Sequence, residues 1–214
     1  MNILITGGLG FIGRELTSGF LKDGHHVTVI ALSPSQSVFT DERMRYISAD
    51  TSVPGEWQSE VSRQDIIINL AGASIFQRWT PKRKKAIYDS RILTTRNIAD
   101  AIPRSKRMLL ISTSAVGYYG PRGDKILTEG DSPGNDFLAK VCLDWEKEAL
   151  RAQRNGVRVV ITRFGLVLGK TGGTLGVMLP LFRRFLGGRL GSGKQWFSWV
   201  HVRDVVGEIG RAHV

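Results

Sequence analysis

The chain has one cysteine, Cys142, in 214 residues. No internal disulfide can form, and a reducing, cytoplasmic setting is the expectation. No apolar run approaches the ~18 residues of a membrane-spanning helix. The N-terminus opens on a strand-like run and not on the basic start and apolar core of a secretory leader. A membrane partner is therefore not expected. Carboxylates are scarce, 19 against 30 lysines and arginines, for a net charge of +11. Such a surplus suits anionic ligands or nucleic acid. The basic clusters Lys82-Arg83-Lys84-Lys85 and Arg104-Ser105-Lys106-Arg107 fall on an expected helix and just before an expected strand. No nucleic-acid motif accompanies either, so both read as solvated faces and nucleic acid is not the expected partner. No repeat or low-complexity tract is visible, and no metal site is assigned. The length and the 42% hydrophobic content suit one α/β domain with a small appendage.

What is present begins at the first residues. Asn2-Ile3-Leu4-Ile5 reads as a short buried strand, and Thr6-Gly7-Gly8-Leu9-Gly10-Phe11-Ile12-Gly13 follows at once. Gly7, Gly10 and Gly13 give the spacing G-x-x-G-x-x-G. Gly7 allows a tight strand-to-helix turn. Gly10, without a Cβ, lets a pyrophosphate approach the backbone. Gly13 lets the helix pack closely on the sheet. The helix start at Phe11 and Ile12 then offers backbone N–H groups and a positive dipole end to phosphates. Three glycines alone are weak evidence. The strand before them and the helix after them make the pattern a dinucleotide-binding turn.

Apolar positions Phe11, Ile12, Leu16, Phe20 and Leu21 share one face of a helix to about Lys22, which Gly24 stops. The second strand is His26–Ala31. An acid just past it selects the ribose 2′-hydroxyl of NAD, and an arginine selects the 2′-phosphate of NADP. Here Ala31-Leu32-Ser33 carries neither. Ser33, Ser35 and Gln36 are possible donors to a phosphate and Arg43 is within folding-back distance in sequence, so NADP is favoured slightly and NAD is not excluded. A third strand is expected over Arg45–Ala49. Asp50 after it either accepts from an adenine amino group or caps a turn. Asp65–Leu70 is an apolar strand, closed by Ala71-Gly72-Ala73, small residues that again permit backbone approach. Pro81 opens a helix to about Ile102. Met108–Ser112, a helix over Asp136–Asn155 and a strand over Val157–Arg163 follow. This alternation predicts an α/β fold, a Rossmann-type doubly wound parallel sheet. Gly165–Thr171 mimics a phosphate loop but is one residue short of the Walker spacing, which excludes it as a triphosphate site. Thr174–Leu186 reads as a core-packing helix turned by Gly187-Gly188. His201 and Asp204 read as structural.

Several motifs together carry a family resemblance. They are Thr6–Gly13, Ser112-Thr113-Ser114, Tyr119-Gly120, Thr128-Glu129 and Trp199–Val205, narrowed by Asn69–Gly72, Arg78-Trp79-Thr80, Ser90-Arg91, Trp145-Glu146 and Gly191–Trp196. The chain resembles the extended short-chain dehydrogenases/reductases, in the atypical YfcH-type branch of NAD-dependent epimerase/dehydratase-like proteins. The resemblance implies an NADP-binding Rossmann domain, residues 1–168, followed by the start of a substrate-binding lobe, residues 169–214. Family members continue well past the last residue, so the lobe is expected to be incomplete and the chain truncated. The resemblance places Ala31 and Leu32 at the cofactor-selecting position, where Leu32 departs from the family's usual arginine. It places Leu70 and Ala71 along the adenine-side ribose, Arg91 near the cofactor, and Arg163 toward the nicotinamide half. It also implies self-association through the two long helices.

The same resemblance implies a Ser/Thr, a Tyr and a Lys as the reducing machinery, with Y-x-x-x-K on a helix. Ser114 supplies the hydroxyl. The helix that should bear the other two has Phe137 with Val141 at that spacing, and neither transfers a proton. Asp136 with Lys140 also fits but reads as a surface ion pair. Tyr118 or Tyr119 is the substitute proton donor. Two readings follow: an oxidoreductase or epimerase acting on a small carbonyl or sugar-like substrate, and a non-catalytic module that binds or senses the nicotinamide cofactor.

Overall fold

A computed structural model of the chain describes residues 1–32, 40–104, 106–170, 172–189 and 191–212. Strand β1 (Asn2–Thr6) buries every residue after its first. A strand apolar on both faces belongs in the middle of a parallel sheet, and β1 lies there. It pairs in parallel with β2 (His26–Ala31) on one side and β4 (Ile66–Asn69) on the other. Outside these lie β3 (Met44–Ser48), β5 (Leu109–Ala115) and β6 (Arg158–Phe164), all parallel. The six-stranded order is β3-β2-β1-β4-β5-β6. The chain reverses its direction of travel across the sheet between β1 and β4. That switch leaves a crevice at the carboxyl ends of the strands.

Alternate side chains of β1 feed two cores. Ile3 and Ile5 join Val27, Ile68 and the helix α1 (Phe11–Lys22) through Leu16, Phe20 and Leu21. Leu4 joins Ile30, Ile67, Leu110 and the helices α2 (Pro81–Ala101) and α3 (Phe137–Leu150) through Ile98 and Ala149. Each fully buried Ile or Leu stabilises by ~1.5–3 kcal/mol. The helix starts are chemically marked. Thr80 caps α2, accepting from the Arg83 N–H with Pro81 next in line, and Asp136 caps α3, accepting from the Ala139 N–H.

The strands and helices fall where the hydrophobic pattern puts them, with shifts at the ends. β3 starts at Met44, one residue before the expected Arg45. β5 runs to Ala115 and not Ser112, because Ser112, Thr113 and Ser114 continue the pairing with β6. α3 stops at Leu150 and tightens into a 3₁₀ segment, Arg151–Asn155. The phosphate-loop mimic is a strand: β7 (Leu166–Gly169) pairs in parallel with β8 (Trp199–His201). Thr171 lies outside the described residues. The next helix, α4 (Gly173–Arg183), ends before the expected Leu186, where Phe185 takes φ +59° and the Leu186 N–H donates to the Leu181 carbonyl. It does not pack as a core helix, since Val177, Leu179, Leu181 and Phe182 are exposed. The last helix, α5 (Val202–Arg211), buries Val205 and Ile209 against the α1 side of the sheet, in the same core as Leu16. No described helix is long and apolar enough to cross a membrane.

Candidate functional site

The glycine turn between β1 and α1 is built from contacts that exclude side chains. Gly7 sits at φ +70°, a conformation open to glycine, and its N–H donates to the Ile30 carbonyl at 2.8 Å. A Cβ on Gly13 would lie 2.4 Å from the Gly7 oxygen and 2.6 Å from the Gly8 Cα. Nothing there is a flexible tip that can swing away. Gly10 is the N-cap of α1, with no capping side chain and no acid in the first turn. The amide end of α1 thus meets the crevice with neither carboxylate nor hydroxyl competing for it, an arrangement suited to phosphate. Arg14 braces the turn by donating to the Leu9 carbonyl at 2.7 Å.

The crevice is a groove of about 470 Å³. Gly7, Gly10, Phe11, Ile12 and Gly13 form one end. Leu70, Gly72 and Arg91 follow along it, and Ser114 lies at the end of β5 with α3 beside it. Phe11 is more than a helix-start residue. Its ring lies against Gly172 and Gly173, where an added Cβ would come within 2.8 Å and 2.6 Å of ring carbons. It thereby ties the glycine turn to the start of α4. Among the described residues no group of three His, Cys, Asp or Glu side chains is placed to hold a metal ion.

The other sequence-selected residues lie elsewhere. Ala31 ends β2 and Leu32 follows it, neither lining the groove, and Leu32 is 69% exposed. Ser33, Ser35 and Gln36 lie outside the described residues. Ala71 is under the glycine turn, its N 3.1 Å from where a Gly7 Cβ would stand. Asp50 accepts from the backbone N–H and the hydroxyl of Ser52, at 2.9 and 2.6 Å, the turn-capping alternative. Arg43 does not fold back to the carboxyl end of β2. It forms a two-point pair with Asp41 and lies beside Gly24, at the strand's other end.

A family model described as the NAD dependent epimerase/dehydratase family matches residues 3–212. The chain belongs to that family. It is 41% identical, over 99% of its length, to the chloroplastic epimerase family protein SDR39U1 homolog of Arabidopsis thaliana. It is 39% identical, over 95% of its length, to the epimerase family protein YfhF of Bacillus subtilis. The chain spans 62% and 67% of the lengths of these two relatives. Among solved structures it is similar to human epimerase family protein SDR39U1 (isoform 2), determined with NADPH. There the TM-score is 0.81 at 31% identity, covering the whole of this chain and 70% of that one.

In this epimerase-family chain the α3 end of the groove is mostly apolar. Four residues of α3 face it: Leu138, Val141, Cys142 and Trp145. The groove-facing pairs one helical turn apart are Leu138 with Cys142 and Val141 with Trp145, not Phe137 with Val141. Phe137 turns away to Trp79 and Lys84. Asp136 and Lys140 do not pair either, since Asp136 caps α3 and Lys140 bonds Asp144 at 2.8 Å. Burial pushes the Cys142 thiol up from its ordinary value, so it stays protonated.

Ser114 is buried and donates its hydroxyl proton to Glu146 Oε1 at 2.6 Å. Arg163 grips that carboxylate through Nε at 2.8 Å and Nη2 at 2.7 Å. The same guanidinium donates to the Tyr119 hydroxyl at 2.8 Å and lies 3.6 Å over the Tyr118 ring. Glu146 raises the Arg163 pKa further, so the cation is permanent. Tyr118, Tyr119 and Arg163 therefore form a support behind Ser114 and do not line the groove. The Ser114 hydroxyl proton is thus directed at Glu146, with the Cys142 thiol beside the same serine. Glu146 has one sequence signal. It sits four residues after Cys142, on the apolar stripe of α3, where an unpaired acid does not belong.

Proposed function

We propose that this chain binds NADP(H) and forms the cofactor half of an oxidoreductase or epimerase acting on a small carbonyl or sugar-like molecule. The observation that carries this reading is the side-chain-free turn at Gly7, Gly10 and Gly13, opening into a groove that runs to Ser114. The turn fits a dinucleotide, since its cradle is space that a Cβ would fill. Residues of the α1 start would hold the pyrophosphate. The NADPH of the human relative supports the phosphorylated cofactor. So does the end of β2, where Ala31 and Leu32 supply no carboxylate for a ribose 2′-hydroxyl.

The cofactor supplies hydride exchange at its nicotinamide. The protein supplies position and polarity. Ser114, hydrogen-bonded to Glu146, would exchange a proton with the oxygen on the reacting carbon, accepting one from a substrate hydroxyl as it passes its own to Glu146 and reversing both transfers when a carbonyl is reduced. The apolar α3 residues Leu138, Val141 and Trp145 exclude water from that carbon. Arg163 holds Glu146 in place through two hydrogen bonds.

A second reading is favoured by one observation. The groove positions on α3 carry Leu138, Val141, Cys142 and Trp145, and none supplies a paired tyrosine and lysine. On that reading the chain senses the cofactor without turnover. Oxidation of NADPH by a panel of small carbonyl compounds, followed by absorbance for the parent and Ser114→Ala, separates the two. The enzymatic reading expects turnover that falls about a hundredfold in Ser114→Ala. Tight NADPH binding with no turnover of any compound would reject it in favour of the sensor.

A further inference from the structure

Arg91 projects from α2 into the groove, and no carboxylate answers it. Its Nη1 donates to the Ala73 carbonyl at 3.0 Å and to the Ile87 carbonyl at 3.1 Å. Its guanidinium carbon stands 5.3 Å from the Trp145 ring centre. A Cβ on Gly72 would meet this guanidinium at 2.9–3.1 Å, so the residue type at 72 gives the cation its room. Neutral carbonyls and an aromatic face hold a guanidinium in place but leave its charge uncompensated. Among the other half-buried arginines described, Arg43, Arg151 and Arg163 each pair with a carboxylate, whereas Arg83, also on α2, donates to the Ser74 carbonyl. Burial lowers the Arg91 pKa from its ordinary value, with nearby Arg83 adding to the effect. A desolvated cation in a largely apolar groove is costly unless a ligand brings the counter-charge.

We propose that Arg91 is the receptor for an oxyanion, a carboxylate or phosphoryl group, on the molecule that binds beside α3. The amide end of α1 begins at Gly10, whereas Arg91 lies against Gly72 and the Trp145 ring of α3. Its remaining N–H donors form a planar fork matched to two oxygens. The proposal rests on the dinucleotide reading for its geometry. It adds that the reacting molecule is an acid or a phosphate ester, not a neutral carbonyl compound.

The test uses calorimetric titration of the chain, with and without saturating NADPH, by inorganic phosphate and by malonate. The variants are Arg91→Met and Arg91→Lys, each checked by its thermal melt and its own NADPH titration. The parent is expected to bind at least one of the two anions in the presence of NADPH. Arg91→Met should weaken that binding about tenfold or more, and Arg91→Lys should retain part of it. If the anions bind only without NADPH, and Arg91→Met weakens NADPH itself by a similar factor, Arg91 serves the cofactor's own pyrophosphate and the proposal is overturned. If neither anion binds the parent, or Arg91→Met binds both anions and NADPH as the parent does, the proposal is overturned. A parent that binds NADPH but no anion sinks this inference alone. A parent that ignores NADPH sinks the dinucleotide reading beneath it.

Discussion

Substituting Gly13 by alanine pits two effects of opposite sign against each other. Gly13 lies inside α1, where alanine is favoured over glycine by ~1 kcal/mol. With nothing nearby, Gly13→Ala would stabilise. The added Cβ, however, would stand 2.4, 2.6 and 2.8 Å from the Gly7 oxygen, the Gly8 Cα and the Gly8 carbonyl carbon. All three are backbone atoms of the turn. Overpacking costs ~1–3 kcal/mol, and contacts this short against main chain belong at the upper end. The net expectation is a loss of ~2 kcal/mol, or ~4–8 °C in Tm at this chain length. The turn must also open, so NADPH affinity should fall with stability. Gly19 supplies the control on the same helix. Its Cβ would have only Val206 Cγ1 near it, at 4.0 Å, so Gly19→Ala should gain ~0.5–1 kcal/mol. Urea denaturation of both variants, with a parallel NADPH titration, reads both effects. A Gly13→Ala variant as stable as Gly19→Ala, with parental NADPH affinity, would refute the close-packed turn.

Glu146→Ala leaves Arg163 facing an emptied site. The pair is largely buried, with side chains 9% and 18% exposed, and removal of one partner should cost ~3 kcal/mol, measured as a shift in the urea midpoint. An unchanged midpoint would mean that Arg163 finds water instead. In the loop before α3, Asp131 accepts from Lys125 and from the Thr128 N–H and hydroxyl. Its pKa is lowered to about 2, first of all by the Lys125 hydrogen bond. A lowered carboxylate favours the folded loop above its ordinary value near 3.8, and that contribution fades as pH falls toward 2. Carboxyl-carbon NMR titration should find the value near 2 and see it rise in Lys125→Ala. No rise in that variant would show that the Thr128 bonds alone hold it.

Much of this was legible in the primary structure, for identifiable reasons. Ile3-Leu4-Ile5 and Ile66-Ile67-Ile68 are short apolar runs with glycine or polar residues at their ends, so they declare themselves as buried strands. The turn at Gly7–Gly13 was readable because its spacing sits between a strand and a helix. Local pattern fails where partners are distant. β7 pairs with β8 some thirty residues on, and Gly165–Lys170 read alone resembles a loop. The extension of β5 through Thr113 and Ser114 was hidden because polar residues at a strand end look like loop. The Ser114–Glu146–Arg163 support was hidden for a related reason. Three residues from β5, α3 and β6 meet only after the sheet has formed, and a helical acid ordinarily faces water. Arg163 was placed toward the nicotinamide by resemblance, whereas its guanidinium is turned to Glu146 and the tyrosines.

The central claim is that bare backbone at the opening turn holds the phosphates of a nicotinamide dinucleotide. The most direct measurement is a fluorescence titration of the chain with NADPH, alongside Gly10→Val. The parent is expected to bind NADPH saturably. Loss is expected in the variant, whose Cβ would already stand 3.1 Å from the Gly7 oxygen and whose methyl groups would enter the groove. A parent that shows no NADPH binding, or a Gly10→Val variant that binds as tightly as the parent, would contradict it.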